Sequence, residues 1–468
     1  MGATFISRQL APTKQIFQFL CRVLLLAWIL PSLAHSEEFH LKNYWDSGLH
    51  QWQAFRTAMN GRGILLETIN TVDVLSNVSG GIRQKTAVTG DLDLLLTIDT
   101  KKLVSGWNNG TLFVYGLGTY GNDPSKHVGD VQAVSSIAAP GTWKLFEAWY
   151  QQNFFKRFSL LAGLYDVTSE FDVIASSSAL FLNGSFGTGA EYAGSGQNRL
   201  STFPTTSLGI RGQAIVSDHL MLRAVIADGR PGNPDDPDGT HILLHKTDGV
   251  FGTIELAYYE FRPADIFDTK QEILNEKRRR LTFRRVGRAA PLGYEGKVAI
   301  GLWGYTTSFD HLSKTDSSGD PLKRDDTYGI YGLAEYAVYH EKGDTDQELI
   351  LFLRAGVADP TVNRFSQYYG GGLVYTGLFP GRNDDQTGIG VAAALNGNHF
   401  MRSQRETGQP VEKTEISFEF THSIYVNRNF IVQPDVQYIL NPGTVPGRNN
   451  ALVLGARLEV NFNWFRLS

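Results

Sequence analysis

The stretch "ALVLGARLEVNF", Ala451–Phe462, decides how the rest of the chain is read. Leu452, Leu454, Ala456, Leu458, Val460 and Phe462 share one parity. Gly455, Arg457, Glu459 and Asn461 share the other. Strict alternation of this kind is a β-strand with one apolar and one polar face. The same pattern recurs in "GDLDLLLTID", "SLGIRGQAIV", "HLMLRAVIAD", "ELILFLRAGV", "EISFEFTHSIYV" and "NFIVQPDVQYIL". Ser217-Asp218 and Asn427-Arg428 each join two such strands by a minimal turn, as in a hairpin.

Reading outward from these segments gives sixteen strands. They lie near 63–75, 87–99, 110–118, 142–152, 158–166, 205–216, 219–227, 250–261, 295–306, 326–340, 347–358, 367–378, 387–395, 413–426, 429–440 and 451–462. Each is about as long as a tilted strand that crosses a bilayer, ~9–11 residues. Several connections after even-numbered strands are very short, such as 153–157, 217–218 and 427–428. Connections after odd-numbered strands run longer, such as 119–141, 167–204 and 228–249. Short turns at one end and long loops at the other are expected of an outer-membrane barrel. The segment 262–294 breaks the rule, because it is long where a short turn is due. The fold class read here is therefore all-β: a transmembrane, antiparallel, up-and-down β-barrel of about sixteen strands.

Composition agrees. Glycine is abundant at 49 residues and aromatics reach 12%, whereas charged residues are 19% and mean hydropathy is -0.19. That is too polar for a bundle of membrane helices, and it suits a turn-rich β-chain. Arg8 and Lys14 precede "VLLLAWILPSLA", and Ser32 and Ala34 supply a small-x-small exit, so residues 1–34 read as a cleaved signal peptide. Its removal takes away Arg8, Lys14 and Arg22 and moves the net charge from -4 to -7. An exported, mildly acidic chain is a poor partner for nucleic acid. Cys21, the one cysteine, falls in the signal, so no disulfide or thiolate site is expected in the mature chain. Residues 35–62 read as a periplasmic segment with one short helix in "GLHQWQAFRTAMNGRG", and 63–468 as the barrel domain.

Several stretches resemble the carbohydrate-selective porins of the OprB type. They are "FVYGLGTYGNDPSKHVGDVQAVSSI", "FEAWYQQNFF", "AGLYDVTSEFDVIASSSALFLNGSFGTG", "LRAVIADGRPGNP" and "IVQPDVQYILNPG". The resemblance runs from about Gly63 to Phe462. It implies a sixteen-stranded outer-membrane barrel through which sugars diffuse passively. It also implies that the third long loop, Val167–Pro204, folds inward to narrow the pore. Glu170, Asp172, Phe181, Asn183, Ser185 and Phe186 are then the constriction candidates. Two features depart from the pattern: "NWFRLS" follows Phe462, and the 262–294 insertion carries the Arg-rich run Asn275–Arg288.

In a barrel the apolar parity faces lipid and the polar parity faces inward. An inner wall so rich in charge is expected to be wet. The wall candidates are Arg211, Arg223, Glu255, Trp303, Arg354, Glu419, Gln433, Asp435, Gln437, Arg457 and Glu459. A sugar path needs paired donors and acceptors, aromatic faces and no strong field of one sign. Arginine forks suit vicinal hydroxyls. Two readings stay open at each position: contact with sugar, or pairing across neighbouring strands. Glu170 and Asp172 either line the constriction or tie the loop to a wall arginine. No GxSxG, HExxH or CxxC is present, so no enzyme, metal or cofactor is expected. The expected partners are membrane lipid, small neutral saccharides and the barrel assembly machinery, with the chain a monomer or a homotrimer. The competing reading is a secreted, soluble β-protein that binds glycans.

Overall fold

The computed structural model describes residues 52–464, apart from 156, 261–293, 343 and 428. A helix covers 52–61, where the amphipathic spacing predicts one, with Trp52 and Phe55 stacked at 5.8 Å. Two expectations lie outside the described residues: the signal peptide at 1–34 and the Arg-rich run at 275–288.

The strands, in chain order, are β1 (Ile64–Ser79), β2 (Lys85–Asp99), β3 (Gly110–Gly121), β4 (Thr142–Phe154), β5 (Phe158–Tyr165), β6 (Ser207–Ile215), β7 (Leu220–Asp228), β8 (Val250–Glu260) and β9 (Gly296–Tyr305). They continue as β10 (Phe309–Thr315), β11 (Pro321–Arg324), β12 (Thr327–Glu341), β13 (Asp344–Ala358), β14 (Phe365–Thr376), β15 (Gln386–Asn396), β16 (Thr414–Asn427), β17 (Phe430–Leu440) and β18 (Ala451–Asn463). The β10–β11 pair is a separate hairpin. The other sixteen strands form one closed antiparallel barrel in which each neighbours the next and β18 returns to β1. The predicted strands match those of the barrel to within a few residues. The hairpin was not foreseen, since its seven- and four-residue strands are too short to show a period.

Closure removes the sheet edges that an open sheet would leave unpaired. The seam between β1 and β18 runs from Glu67↔Asn463 to Ser79↔Leu452. Trp464 extends it, its backbone N–H donating to Leu66 O at 2.9 Å and its indole to Thr68 Oγ1 at 2.7 Å. The residues after Phe462 therefore continue the strand for one more backbone contact. Across the seam Arg457 grips Asp73 with two hydrogen bonds, at 2.7 and 2.8 Å.

The faces fall as the alternation requires. Leu94, Ile210, Ile226, Leu302, Phe420 and Leu454 are exposed on the outside and form the lipid belt. The inward parity carries most of the buried charge. Long connections gather at one end, which is the external one by the loop rule, and short turns at the other. The connection that contains 261–293 leaves from the short-turn end.

Asp73 and Arg457 are both buried, so cutting one partner leaves an uncompensated charge at the closing seam. Arg457→Leu should destabilise the barrel by ~3–5 kcal/mol. The change should appear as a lower temperature for the heat-dependent shift in gel mobility. Adding Asp73→Asn should recover much of the loss; equal loss in the double variant would show that the pair does not hold the seam.

Candidate functional site: two loops held inside a charged wall

The barrel does not enclose an empty lumen. Loop 166–206, between β5 and β6, folds inward as expected, and loop 122–141, between β3 and β4, goes in beside it. The two loops join by Ser136 N–H to Leu182 O at 2.7 Å and Gly184 N–H to Ala133 O at 2.8 Å. Irregular backbone inside a barrel carries N–H and C=O groups that need partners. The inward charges of the wall provide many of them.

Carboxylates hold the N–H groups. Glu419 on β16 accepts from Leu182 N at 2.6 Å and Asn183 N at 3.0 Å, one to each oxygen. Glu335 on β12 caps the short helix Ala175–Leu180, taking Ala175 N, Ser176 N and Ser176 Oγ at 3.0, 3.0 and 2.8 Å. Glu415 on β16 takes Val131 N at 3.0 Å and Gly443 N at 2.6 Å. Glu255 on β8 takes Asp172 N at 3.2 Å.

Cations and amides hold the carbonyls. Arg354 on β13 donates to Asp172 O at 2.8 Å and Gly187 O at 3.1 Å, and its Nε lies 3.1 Å from the Asp172 carboxylate. Lys297 on β9 reaches Val173 O at 2.8 Å. Arg223 on β7 reaches Glu170 O at 3.1 Å and pairs with Glu255 at 3.7 Å. Gln433 and Gln437 on β17 bond Leu180 O and Val134 O at 2.5 and 2.9 Å. Asp435 accepts from Gln437 at 2.9 Å. Arg211 on β6, fully buried, binds the Glu170 side chain through Nε at 2.9 Å and Nη2 at 3.0 Å.

Glu170 and Asp172 each pair with a wall arginine, Arg211 and Arg354 respectively. Every other constriction candidate is buried too. Asn183 caps the turn Gly184–Phe186, accepting from Ser185 N at 3.0 Å. Ser185 O accepts from Tyr368 at 2.6 Å. Phe181 and Phe186 stack at 4.4 Å and sit on the inward face of β15. Glycine is required there, since a Cβ at Gly388 would come within 2.9 Å of Phe181, and one at Gly390 within 2.6 Å of Phe186.

Of the wall candidates, Glu459 alone keeps partial exposure. Trp303 points inward but packs beside Tyr192 at 5.8 Å and Tyr305 at 6.2 Å. This corrects the expectation of a wet inner wall. The charges are neutralised in ion pairs and by loop backbone, which lets a large aromatic core form between wall and loop. Parity tells which way a side chain points, not whether a loop will cover it. Glu335, Glu415, Lys297 and the inward course of loop 122–141 were missed as site features. The first three share the inward parity of their strands, and that rule could have found them. Asp93 on β2, also inward, keeps partial exposure and accepts from Tyr115 at 2.6 Å.

Fold and site together define a membrane-spanning β-barrel channel whose lumen is narrowed by loops bonded to its own wall. The sequence profile of the carbohydrate-selective porin, OprB family, matches residues 83–462, and the chain belongs to that family. Porin B of Pseudomonas aeruginosa is 24% identical over 469 residues, covering 94% of this chain and 97% of that protein. The high-pH structure of Pseudomonas putida OprB is similar in fold, with a TM-score of 0.73 at 20% identity, over 88% of this chain and 97% of that one. Its low-pH structure gives a TM-score of 0.53 at 17% identity, over 88% and 96%. The protein is an outer-membrane porin of the carbohydrate-selective class, and nothing in its fold or relatives favours the soluble glycan-binding reading.

Two predictions follow from the loop contacts. Hydrogen bonds to a charged group contribute ~1.5–3 kcal/mol each. Glu419→Ala, which removes two, should loosen the 180–187 turn and raise single-channel conductance and current noise. Unchanged conductance and noise would argue against the bracket. The second concerns Glu191, on the loop rather than on a membrane-crossing strand. It is 1% exposed and lies against Gly356, and among the described residues no side chain donates to its oxygens. Burial, and then the nearby Asp172 charge, push its carboxyl up to about 8. The folded value is raised, so the docked loop favours the neutral acid. That stabilisation is full below the ordinary glutamate range and is lost as pH rises through about 8. Channel noise should therefore increase on the alkaline side of that value, and Glu191→Gln should flatten the change. A noise profile identical in the variant would contradict this.

Proposed function

We propose that the protein is a passive channel for small neutral saccharides, delivered to the outer membrane after cleavage of the 1–34 signal, and that it performs no catalysis. The observation that carries the reading is the combination of a closed lipid-facing barrel with loops fixed across its interior. Fixed loops leave a narrow passage that needs no energy input and discriminates by size and hydrogen bonding.

The loop contacts described above fall on β6–β9, β12–β14, β16 and β17. In this reading the free passage runs past β18, β1 and β2 away from Asp73 and Arg457, which bond Ser135 and Ser136 of loop 122–141. There Asp93, Gly455 and Glu459 keep partial exposure on the wall. Carboxylates accept from sugar hydroxyls. The buried arginines act on sugar indirectly, by setting where the loop lies. Sugar contact is thus proposed for Glu459 and Asp93. For Arg211, Arg223, Arg354 and Arg457 the proposed role is support.

Planar-bilayer recording tests this. Purified protein should give discrete conductance steps that small neutral sugars block in a concentration-dependent way. Asp93→Ala or Glu459→Ala should weaken the block about 3–10-fold, the loss of roughly one hydrogen bond of ~1 kcal/mol. Leu454→Ala, on the lipid face, should leave it unchanged. Absence of block by any sugar would overturn the reading.

A further inference from the structure

Strand β5 pairs with β4 only up to Ala148↔Leu164 and then leaves for the inward loop. The upper part of β4, from Thr142, loses its strand neighbour on that side. Loop 229–249 covers the gap. Thr240 Oγ1 accepts from Leu145 N at 2.7 Å and donates to Leu145 O at 2.9 Å. Gly239 N donates to Thr142 Oγ1 at 2.8 Å, and Lys144 Nζ donates to Pro237 O at 3.1 Å. An unpaired edge at the external end of the wall is thereby closed by a loop instead of a strand.

The position of this contact matters. Leu145 and Trp143 face outward, and Trp143 is 62% exposed at the upper rim of the lipid belt. Directly after Thr240 the chain reads His241-Ile242-Leu243-Leu244-His245-Lys246. Ile242, Leu243 and Leu244 are 49%, 36% and 67% exposed, and His245 and Lys246 are exposed beside them. Four residues of chain reach at most ~14 Å, so the apolar triplet stays close to the rim. Three consecutive exposed apolar residues, continuous with a lipid-facing wall and followed by a cation, match an interfacial lipid anchor. The surface of three side chains is well below the roughly 800 Å² per partner that a stable protein interface needs.

We propose that loop 229–249 is a membrane latch. Ile242, Leu243 and Leu244 insert among the acyl chains of the outer leaflet, and Lys246 meets a phosphate of the same lipid layer. The latch holds the external end of β4 at a fixed depth in the bilayer, at the point where the barrel wall lacks its strand neighbour.

The test uses site-directed spin labels on the exported protein, from which Cys21, the one natural cysteine, departs with the proposed signal. Leu243→Cys, Leu302→Cys on the lipid belt and Leu322→Cys on the external hairpin are each labelled. The proteins are reconstituted in vesicles of lipopolysaccharide and phosphatidylethanolamine. Collision with oxygen is compared with collision with a water-soluble nickel chelate. The label at 302 should favour oxygen and the label at 322 the chelate. That contrast checks the barrel's placement in the membrane independently of the latch. The label at 243 should favour oxygen several-fold over the label at 322, and Lys246→Glu should reduce that preference. A label at 243 that behaves like the one at 322 overturns the latch. Shielding from both reagents, with spin–spin broadening that vanishes on dilution with unlabelled protein, would mean that a second copy covers the triplet, and also overturns it. An unchanged preference in Lys246→Glu would overturn the phosphate contact.

Discussion

The interior of this barrel depends on one kind of bond: a buried wall charge meeting the backbone of an inward loop. Glu335 and Glu419 take backbone N–H groups, and Arg354, Lys297 and Arg223 give to carbonyls. Each partner solves the other's problem. The loop's peptide groups cannot be left unpaired away from water, and the wall's charges cannot be left without counter-charge or hydrogen bonds. Removing either side leaves the other in deficit. The loop is consequently fixed in place, and a fixed loop sets the width of a diffusion channel.

Shape complementarity adds direction to these bonds. Gly388 and Gly390 open a flat seat for Phe181 and Phe186, and Gly356 does the same for Glu191. Glycine on the inward parity weakens a strand on its own, yet here each one admits a loop side chain that would otherwise collide. The polar bonds choose the register of the loop, and the aromatic packing supplies the apolar burial beneath it.

Much of the fold was legible in the sequence. Alternation in segments such as Ala451–Phe462 and Glu415–Val426 fixed strand, face and order, because a bilayer imposes one rule on every outward residue. The asymmetry of connections gave the membrane orientation, and it also marked 167–204 as the third long loop. The site was legible only in part. The inward parity placed Arg211, Arg354, Glu419 and Arg457 on the correct face but suggested water around them. Their coverage depends on a loop far away in sequence; Glu419 and Leu182, for example, are 237 residues apart. No local pattern encodes such a pairing. Loop 122–141 gave no sign of turning inward for the same reason: its anchors, Glu415 and Asp73, lie on strands from opposite ends of the chain.

Amide hydrogen exchange tests the central claim most directly, because it reads the loop backbone without altering a residue. If wall carboxylates hold the inward loop, the amides of Ala175, Ser176, Leu182 and Asn183 should exchange slowly, at rates near those of the barrel strands. Exchange at those four amides as fast as in the exposed hairpin turn at 316–320 would contradict the account.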